Sequence, residues 1–437
     1  MRTGKISKSI CCILTATSLF ACTQEVIETL PTQAESETQS TEKLAKYRTY
    51  EEALAVAQDA IGMLGESCVT RSGNPRTIDI HNVQYIVNTS STRSDGKPDT
   101  LMYVFNYDDN AGFAVVSANR ATEELIAVTE QGNYIAGEET GNGGFDLYMD
   151  MAETYIQTAA EPLPPVGGGD NGPVGFKQVK YETTIDTTIA GPYLNVQWGQ
   201  KYPYNLYCPQ TNGVKDAAGC VATAIAQIMS YYKHPSSITI SYETPSYSYL
   251  LDWDAMLMHR SSNECNCDSH EMIGKFIREI GNLVYMDYGP QSGTDISNAA
   301  NAFSVLGYKH DALTSYSSSK LINSLRQKKL VYMAGAGMVD NEMVGHAWVV
   351  DGYKSITYHH TEYMKEDYEI LWTITNQSTE TFTYHHINWG WNGISNGYFS
   401  KDVFDTSSPV ELDEDVFFTA NFDFTNSLYI FPNIEIR

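Results

Sequence analysis

The chain has little positive charge, and it lacks a second long apolar run after its N-terminus. Its 437 residues carry 28 Lys and Arg against 53 Asp and Glu, a formal net charge of −25. Because so acidic a surface repels a phosphate backbone and no basic stripe offsets it, we expect no nucleic-acid partner. No later segment approaches the roughly 18 continuous apolar residues that a membrane-spanning helix needs. We also detect no internal repeat.

Apolar and aromatic residues are plentiful. They make up 42% and 12% of the chain, with 30 Tyr among them. This composition argues against disorder. The length allows two compact domains.

A signal peptide is predicted over residues 1–21. Basic residues precede an apolar stretch at 10–20 that is too short to span a bilayer. The sequence Leu-Phe-Ala-Cys at 19–22 resembles the bacterial lipobox, so we expect lipidation of Cys22. The exported protein would then be anchored to the cell envelope, at the outer membrane, with release after maturation left open. The alternative is an ordinary secretory signal cut near Ala21.

Five cysteines remain after the signal and the anchor, namely Cys68, Cys208, Cys220, Cys265 and Cys267. If the others pair, the odd number leaves at least one free thiol. Cys265, Cys267 and His270 put three metal-binding side chains within six residues. No partner pair accompanies them, so we expect no metal site there. No cofactor is expected.

Composition divides the chain into successive segments. Residues 22–46 are polar and acidic and predict a flexible tether. Residues 47–161 predict a self-contained α+β unit, which opens with a capping box at Thr49. A Pro- and Gly-rich linker covers 162–184. Residues 185–437 predict helices first and strands afterwards, which favours an α+β domain with two lobes.

Cys220 lies in the first turn of a predicted buried helix. Apolar residues follow it at helical spacing as far as Tyr232. Free backbone N–H groups at a helix N-terminus favour a thiolate over a thiol. Gly219 leaves the approach to the sulfur open. The competing interpretation is a buried structural cysteine.

His346 is the histidine that best suits the role of a base. It begins a strongly apolar strand, after Gly345, whereas His385 and His386 are assigned to polar strand neighbourhoods. Some 40 residues later, Asn388 offers an amide to hold the imidazole. A Cys, a His and then an Asn, far apart in sequence, follow the order of a papain-like triad.

Four separated segments resemble the streptopain family of papain-like bacterial cysteine peptidases. They are Trp-Gly-Gln-Lys-Tyr-Pro-Tyr-Asn at 198–205, Gly-Cys-Val-Ala-Thr-Ala at 219–224, Met-Asp-Tyr-Gly-Pro-Gln-Ser-Gly-Thr at 286–294, and Gly-His-Ala at 345–347 with Asn-Trp-Gly-Trp at 388–391. The first unit is similar to the inhibitory prodomain of that family, notably at 103–106 and 112–117. The resemblance implies a two-lobed papain-like α+β domain behind a prodomain.

The resemblance also implies roles for individual residues. Cys220 would be the nucleophile and His346 its base and later its acid. Gln200 would donate to the oxyanion together with the Cys220 backbone N–H. The remaining assignments are Asn388 and Trp389, which would orient and cover His346, and Thr294 and Gly345, which would contact substrate.

The function that follows is a secreted cysteine endopeptidase made as a zymogen, acting on extracellular or host proteins. We expect its own prodomain to inhibit it by docking over the cleft and displacing the His346 side. Cleavage within 162–186, by this enzyme or another, would release activity. The segments 354–383, an extended hairpin, and 410–415, an acidic stretch, depart from the family pattern and leave substrate preference open.

Three other classes remain open. A pseudopeptidase would bind proteins without cutting them. An acyl transferase would use the same Cys–His chemistry on an amine acceptor. A surface adhesin would suit the anchor but leaves the four motifs unexplained.

Overall fold

The computed structural model describes residues 24–28, 47–68, 75–92, 98–159, 177–262, 267–339, 342–366, 370–405 and 428–437. The predicted signal peptide, Cys22, Cys265, the acidic stretch 410–415 and most of the linker lie outside these residues, as do the side chains of Cys68 and Cys267.

The described residues contain eight α-helices. They are α1 (Tyr50–Ala60), α2 (Gly143–Thr158), α3 (Cys220–Tyr232), α4 (Trp253–Met258), α5 (Cys267–Leu283), α6 (Ala299–Val305), α7 (Ser318–Arg326) and α8 (Lys401–Phe404). Short 3-10 helices lie at Ile61–Cys68, Asp108–Asn110 and Ile296–Asn298. None of the described helices is long and apolar enough to cross a membrane.

Eighteen strands accompany these helices in the described residues. The early strands are β1 (Gln24–Glu28), β2 (Ile78–Thr92), β3 (Pro98–Tyr107), β4 (Phe113–Ser117), β5 (Leu125–Thr129), β6 (Lys177–Ala190), β7 (Gln210–Thr211), β8 (Val214–Lys215), β9 (Ser237–Ile240) and β10 (Tyr247–Leu250). The later ones are β11 (Tyr308–Lys309), β12 (Thr314–Ser315), β13 (Val331–Val339), β14 (Glu342–Glu366), β15 (Thr373–Asn388), β16 (Gly397–Ser400), β17 (Leu428–Phe431) and β18 (Glu435–Ile436).

The backbone forms two compact units. In its described part, the smaller unit comprises residues 24–28, 177–187, 356–366 and 370–381. Strand β1 pairs antiparallel with β6, and β6 also pairs with β14. The sequence predicted a tether without structure at 24–28, where the chain instead forms strand β1.

The larger unit holds the remaining described residues of both predicted domains. One sheet runs through it in the order β12-β17-β13-β14-β15-β16-β5-β4-β3-β2. The junction is the antiparallel pair β16 and β5, which aligns Gly397 with Thr129 and Phe399 with Ala127. The predicted prodomain therefore continues the sheet of the predicted catalytic domain through main-chain hydrogen bonds.

Two hydrophobic cores lie on either side of strands β13 and β14. Successive residues of a strand point to opposite faces, so Val349 enters one core while Trp348 and Val350 enter the other. The first core surrounds α3. The second joins Phe145 and other residues of α2 to Trp389 and neighbouring residues of the later domain. The second core thus belongs to both predicted domains.

Several predicted elements are confirmed. Helix α3 has the predicted bounds, and Thr49 and Glu52 form the predicted capping box of α1. The predicted hairpin at 354–383 corresponds to the adjacent strands β14 and β15. Two strands predicted at 369–376 and 381–388 are instead one strand, β15, because its polar middle is an exposed stretch of strand and not a turn.

Candidate active site

Cys220 is the first residue of α3, and its side chain is half-buried. The preceding Gly219 has φ 89°, a left-handed conformation that favours glycine. A Cβ atom there would lie 2.4 Å from Cε of Met286. The backbone conformation therefore favours glycine here, whereas the flexible end of the Met286 side chain could move aside.

His346 lies on β14, opposite Gly335 of β13. Its Nε2 atom donates a hydrogen bond to the carbonyl of Trp389 at 2.8 Å. The ring stacks on Trp348, with centroids 6.2 Å apart and an interplanar angle of 17°. Because Nε2 is used as a donor, Nδ1 is the nitrogen that can accept a proton.

Cys220 and His346 lie close enough for each to alter the titration of the other. Burial raises the pKa of Cys220, but the His346 hydrogen bond and charge, with the amides of Ala347 and Val221, outweigh it and lower that pKa. Burial lowers the pKa of His346, but Cys220, the Trp389 carbonyl and the Asp146 carboxylate outweigh it and raise it. The pair therefore favours a thiolate beside an imidazolium.

Cys208 provides a contrast within the same domain. It is also a free thiol, but it is buried, and burial raises its pKa to about 11. Of these two thiols, only Cys220 has the properties of a nucleophile. Among the described residues, no group of three or more His, Cys, Asp or Glu side chains could hold a metal ion.

Trp389 and Asn388 make different contacts. Trp389 is fully buried, and its indole Nε1 donates to the carbonyl of Ser395 at 3.0 Å. The Asn388 amide donates to the carbonyl of Val196 at 2.8 Å and accepts from the Gly390 N–H at 3.1 Å. In this arrangement, the Trp389 carbonyl is the hydrogen-bond partner of His346, and the Asn388 side chain holds the neighbouring backbone.

Gln200 lies beside the nucleophile. Its carbonyl accepts from the N–H of Ala218, two residues before Cys220, at 2.8 Å. Gly345 is exposed directly before His346. The Thr294 hydroxyl donates to the Val284 carbonyl at 2.5 Å, so it is engaged within its own loop.

The N-terminus of α2, in the predicted prodomain, packs against His346 and Trp389. A Cβ atom at Gly144 would lie 2.4 Å from Cδ2 of His346 and 2.8 Å from Cε3 of Trp389. We expected the prodomain to displace His346. Gly144 covers one side of the His346 ring, and the displacement of His346 by the prodomain stays a prediction.

The sequence did not single out several residues of this site. Trp348 lies in the apolar strand that was predicted after His346, but the sequence suggested no role for it. Its position two residues after His346 places both side chains on one face of that strand. Gly144 and Asp146 lie about 200 residues from His346. Their proximity to His346 depends on tertiary packing, which no local sequence pattern predicts.

Comparisons with known proteins agree with this geometry. Residues 198–399 match the Peptidase C10 family, and residues 41–156 match the Spi protease inhibitor family. Streptopain of Streptococcus pyogenes serotype M28 is 25% identical over 357 residues, covering 70% of this chain and 75% of that protein.

Two further relatives are similar. The thiol protease/hemagglutinin PrtT of Porphyromonas gingivalis is 26% identical over 347 residues, covering 71% of this chain and 35% of that protein. A prointerpain A fragment from Prevotella intermedia superposes with a TM-score of 0.50 at 21% identity, covering 80% of this chain and 97% of that one. This last likeness shows that the chain has the fold of the prointerpain A fragment. Over residues 198–399 the chain matches the Peptidase C10 family, and a segment like the Spi protease inhibitor lies ahead of that region.

Proposed function

We propose that the protein is an exported cysteine endopeptidase, made as a zymogen, with Cys220 as nucleophile and His346 as general base and acid. Its substrates would be extracellular or host proteins. One observation carries the proposal. Cys220 lies at a helix N-terminus close to His346, with the pKa of the thiol lowered and that of the imidazole raised.

The chemistry follows from this pair. The Cys220 thiolate adds to the scissile carbonyl, and the carbonyl oxygen becomes an oxyanion. The backbone N–H of Cys220 and the side-chain amide of Gln200 would donate hydrogen bonds to that oxyanion. Such donors typically contribute about 3 kcal/mol each to transition-state stabilisation. The imidazolium of His346 then protonates the leaving amine, the C–N bond breaks, and the acyl group stays on Cys220 as a thioester. In the second half, His346 takes a proton from the water that hydrolyses the thioester.

The prodomain contacts support a latent precursor. Gly144 fills the space beside His346, and β5 occupies the edge of β16. Substrate cannot reach His346 from the side that Gly144 covers. Cleavage of the linker would let the prodomain dissociate and open this side of the cleft.

Export and anchoring rest on the sequence alone. Lipidation of Cys22 would keep the precursor at the cell envelope. A Cys22→Ser variant should move from the membrane fraction to the soluble fraction, whereas a Cys208→Ser variant should stay with the membrane. Membrane retention of Cys22→Ser would refute the anchor.

The peptidase assignment can be tested with an epoxysuccinyl thiol-protease inhibitor. The full-length secreted chain is activated by mild proteolysis, labelled and mapped by mass spectrometry, with casein cleavage assayed in parallel. We expect an adduct on Cys220 alone, with casein cleavage lost in Cys220→Ala and kept in Cys208→Ala. Neither adduct nor cleavage after prodomain removal would favour a pseudopeptidase. An adduct with transfer to added amines in place of hydrolysis would favour an acyl transferase.

A further inference from the structure

The segment that carries Gln200 has no regular secondary structure. Residues 191–199 are neither helix nor strand, so no ladder of main-chain hydrogen bonds fixes them. We call 191–200 the oxyanion segment. Its position depends on individual hydrogen bonds to neighbouring elements.

Two residues of the later strands supply hydrogen bonds to residues 193–196, while the N–H groups of Gln197 and Trp198 donate to the Arg260 carbonyl and the Gln227 side chain. The Asp351 carbonyl accepts from Tyr193 N–H at 3.1 Å, and its carboxylate Oδ2 accepts from Leu194 N–H at 2.8 Å. Asn388 donates to the Val196 carbonyl at 2.8 Å. Asp351 thus connects the oxyanion segment to β14, the strand that also carries His346.

The other carboxylate oxygen of Asp351 is held by a buried histidine. Its Oδ1 lies 2.6 Å from Nδ1 of His386, and the two side chains are 1% and 6% exposed. Contrary to its assignment to a polar neighbourhood, His386 is therefore part of a buried ion pair. The two oxygens of one carboxylate join His386 to the oxyanion segment.

Other groups around His386 keep it charged. Glu130 of the prodomain lies 3.5 Å from Nε2, and Arg76 acts in turn on Glu130. The Tyr398 ring packs with its centroid 5.0 Å away. Burial lowers the pKa of His386, but Asp351 and Glu130 outweigh it and raise that pKa to about 10. Since this lies well above neutral pH, His386 is a cation in the zymogen, and Asp351, the larger of the two contributions, stays beside it after the prodomain leaves.

We propose that the Asp351–His386 ion pair is a positioning device that fixes the oxyanion segment and so aims Gln200 at the developing oxyanion. This inference rests on the proposed function, in which Gln200 is an oxyanion donor. His386 fixes the rotation of the Asp351 carboxylate, and the carboxylate fixes Leu194. Without the cation, the carboxylate is free to turn, and the backbone that leads to Gln200 loses an anchor.

The test distinguishes a defect of the oxyanion hole from a defect of the nucleophile. Alkylation of Cys220 by iodoacetamide needs the thiolate but forms no oxyanion, whereas peptide hydrolysis needs both. The full-length chain is activated by mild proteolysis, and rates are normalised to Cys220 sites titrated with the epoxysuccinyl inhibitor. We expect His386→Gln to lower kcat about 10- to 100-fold through misplacement of Gln200. Its KM and Cys220 alkylation rate should stay within about twofold of wild type.

His385→Gln is the matched control. His385 is the adjacent residue of the same strand and is also fully buried, but it contacts Tyr316 at 2.8 Å and has no link to the oxyanion segment. Burial lowers its pKa to about 3, so it is neutral. An equal loss of kcat in His385→Gln, or an equal loss of alkylation and hydrolysis in His386→Gln, would overturn the proposal. So would an unchanged kcat in His386→Gln.

Two more variants complete the test. If His386→Gln does not fold, Asp351→Asn keeps the shape of the carboxylate and should show the same selective loss of kcat. Gln200→Ala separates this proposal from the proposed function. It should lower kcat about 100-fold or more with normal alkylation. An unchanged kcat in Gln200→Ala would remove Gln200 from the oxyanion hole, whatever His386 does.

Discussion

At the scale of single residues, the site depends on opposing effects at Cys220 and His346. Burial alone disfavours both charged forms, as Cys208 shows, where burial raises the pKa to about 11. The interaction between Cys220 and His346 reverses the direction of the pKa shift for both groups. The active form should therefore exist between the lowered pKa of the thiol and the raised pKa of the imidazole. Activity should fall below the first value and above the second.

Gly144 is a prodomain residue that packs against the His346 ring. A Gly144→Ala change places a Cβ atom 2.4 Å from the His346 ring, so the first turn of α2 must move away. Overpacking of this kind costs about 1–3 kcal/mol, so we expect labelling of Cys220 in the uncleaved zymogen to rise roughly 5- to 100-fold. Mass spectrometry of the labelled zymogen measures this rate.

Gly62→Ala is the control for this change, because a Cβ atom there meets nothing within 4 Å. Its zymogen should label at the wild-type rate. If Gly144→Ala and wild-type zymogens label equally fast, Gly144 does not contribute to latency.

At the scale of elements, helix α2 and strand β5 hold the prodomain in place. Strand β5 extends the sheet beyond β16, and α2 inserts Phe145 and Tyr148 into the second core. The Tyr148 ring lies 4.9 Å from that of Phe399 and 5.0 Å from that of Phe404. The prodomain is thus bound by both main-chain pairing and aromatic packing.

Removal of the Tyr148 side chain should weaken the zymogen alone. Truncation of a buried aromatic costs about 3–5 kcal/mol, so Tyr148→Ala should lower the thermal midpoint of the zymogen. The activated enzyme, which lacks α2, should melt like wild type. Tyr85→Ala, at a prodomain tyrosine that is 48% exposed, should leave both midpoints unchanged within error. Equal destabilisation by the two variants would contradict the role of α2.

Local patterns predicted the elements better than their pairing. The apolar spacing after Cys220 gave α3 with its observed bounds, and the Thr49 capping box gave the start of α1. The order Cys, His, Asn pointed to Cys220 and His346. The pairing of β5 with β16, the approach of Gly144 and the burial of His386 all join residues far apart in sequence. Tertiary packing decides such contacts, and no local periodicity encodes them.

At the scale of the whole molecule, strand β6 limits where maturation can occur. The sequence predicted cleavage within 162–186, but Lys177–Ala190 form β6, which pairs with β1 and β14. Proteases need an exposed extended segment, so we expect the self-activated enzyme to begin at or before Lys177. N-terminal sequencing of the product checks this. A product that begins within 180–190 would contradict it.

The long sheet that contains β16 and β5 explains how the peptidase domain and the prodomain are joined within one chain. The prodomain pairs with the edge strand β16 and contributes residues to the second core. Its Glu130 carboxylate also lies beside the His386 imidazolium. Release of the prodomain removes these contacts at once, because a single helix and a single strand carry most of them.

The thiolate–imidazolium pair is the central claim, and the pH dependence of Cys220 alkylation tests it most directly. The iodoacetamide rate is measured from about pH 4 to pH 10 on activated wild-type and His346→Ala proteins; an ordinary cysteine titrates near 8.5. In wild type, we expect rapid alkylation to persist well below that pH, because His346 lowers the pKa of Cys220. In His346→Ala, the rate should rise at a clearly higher pH than in wild type, because burial is then opposed only by the amides of Ala347 and Val221. Superimposable profiles for the two proteins would contradict the ion pair and the mechanism built on it.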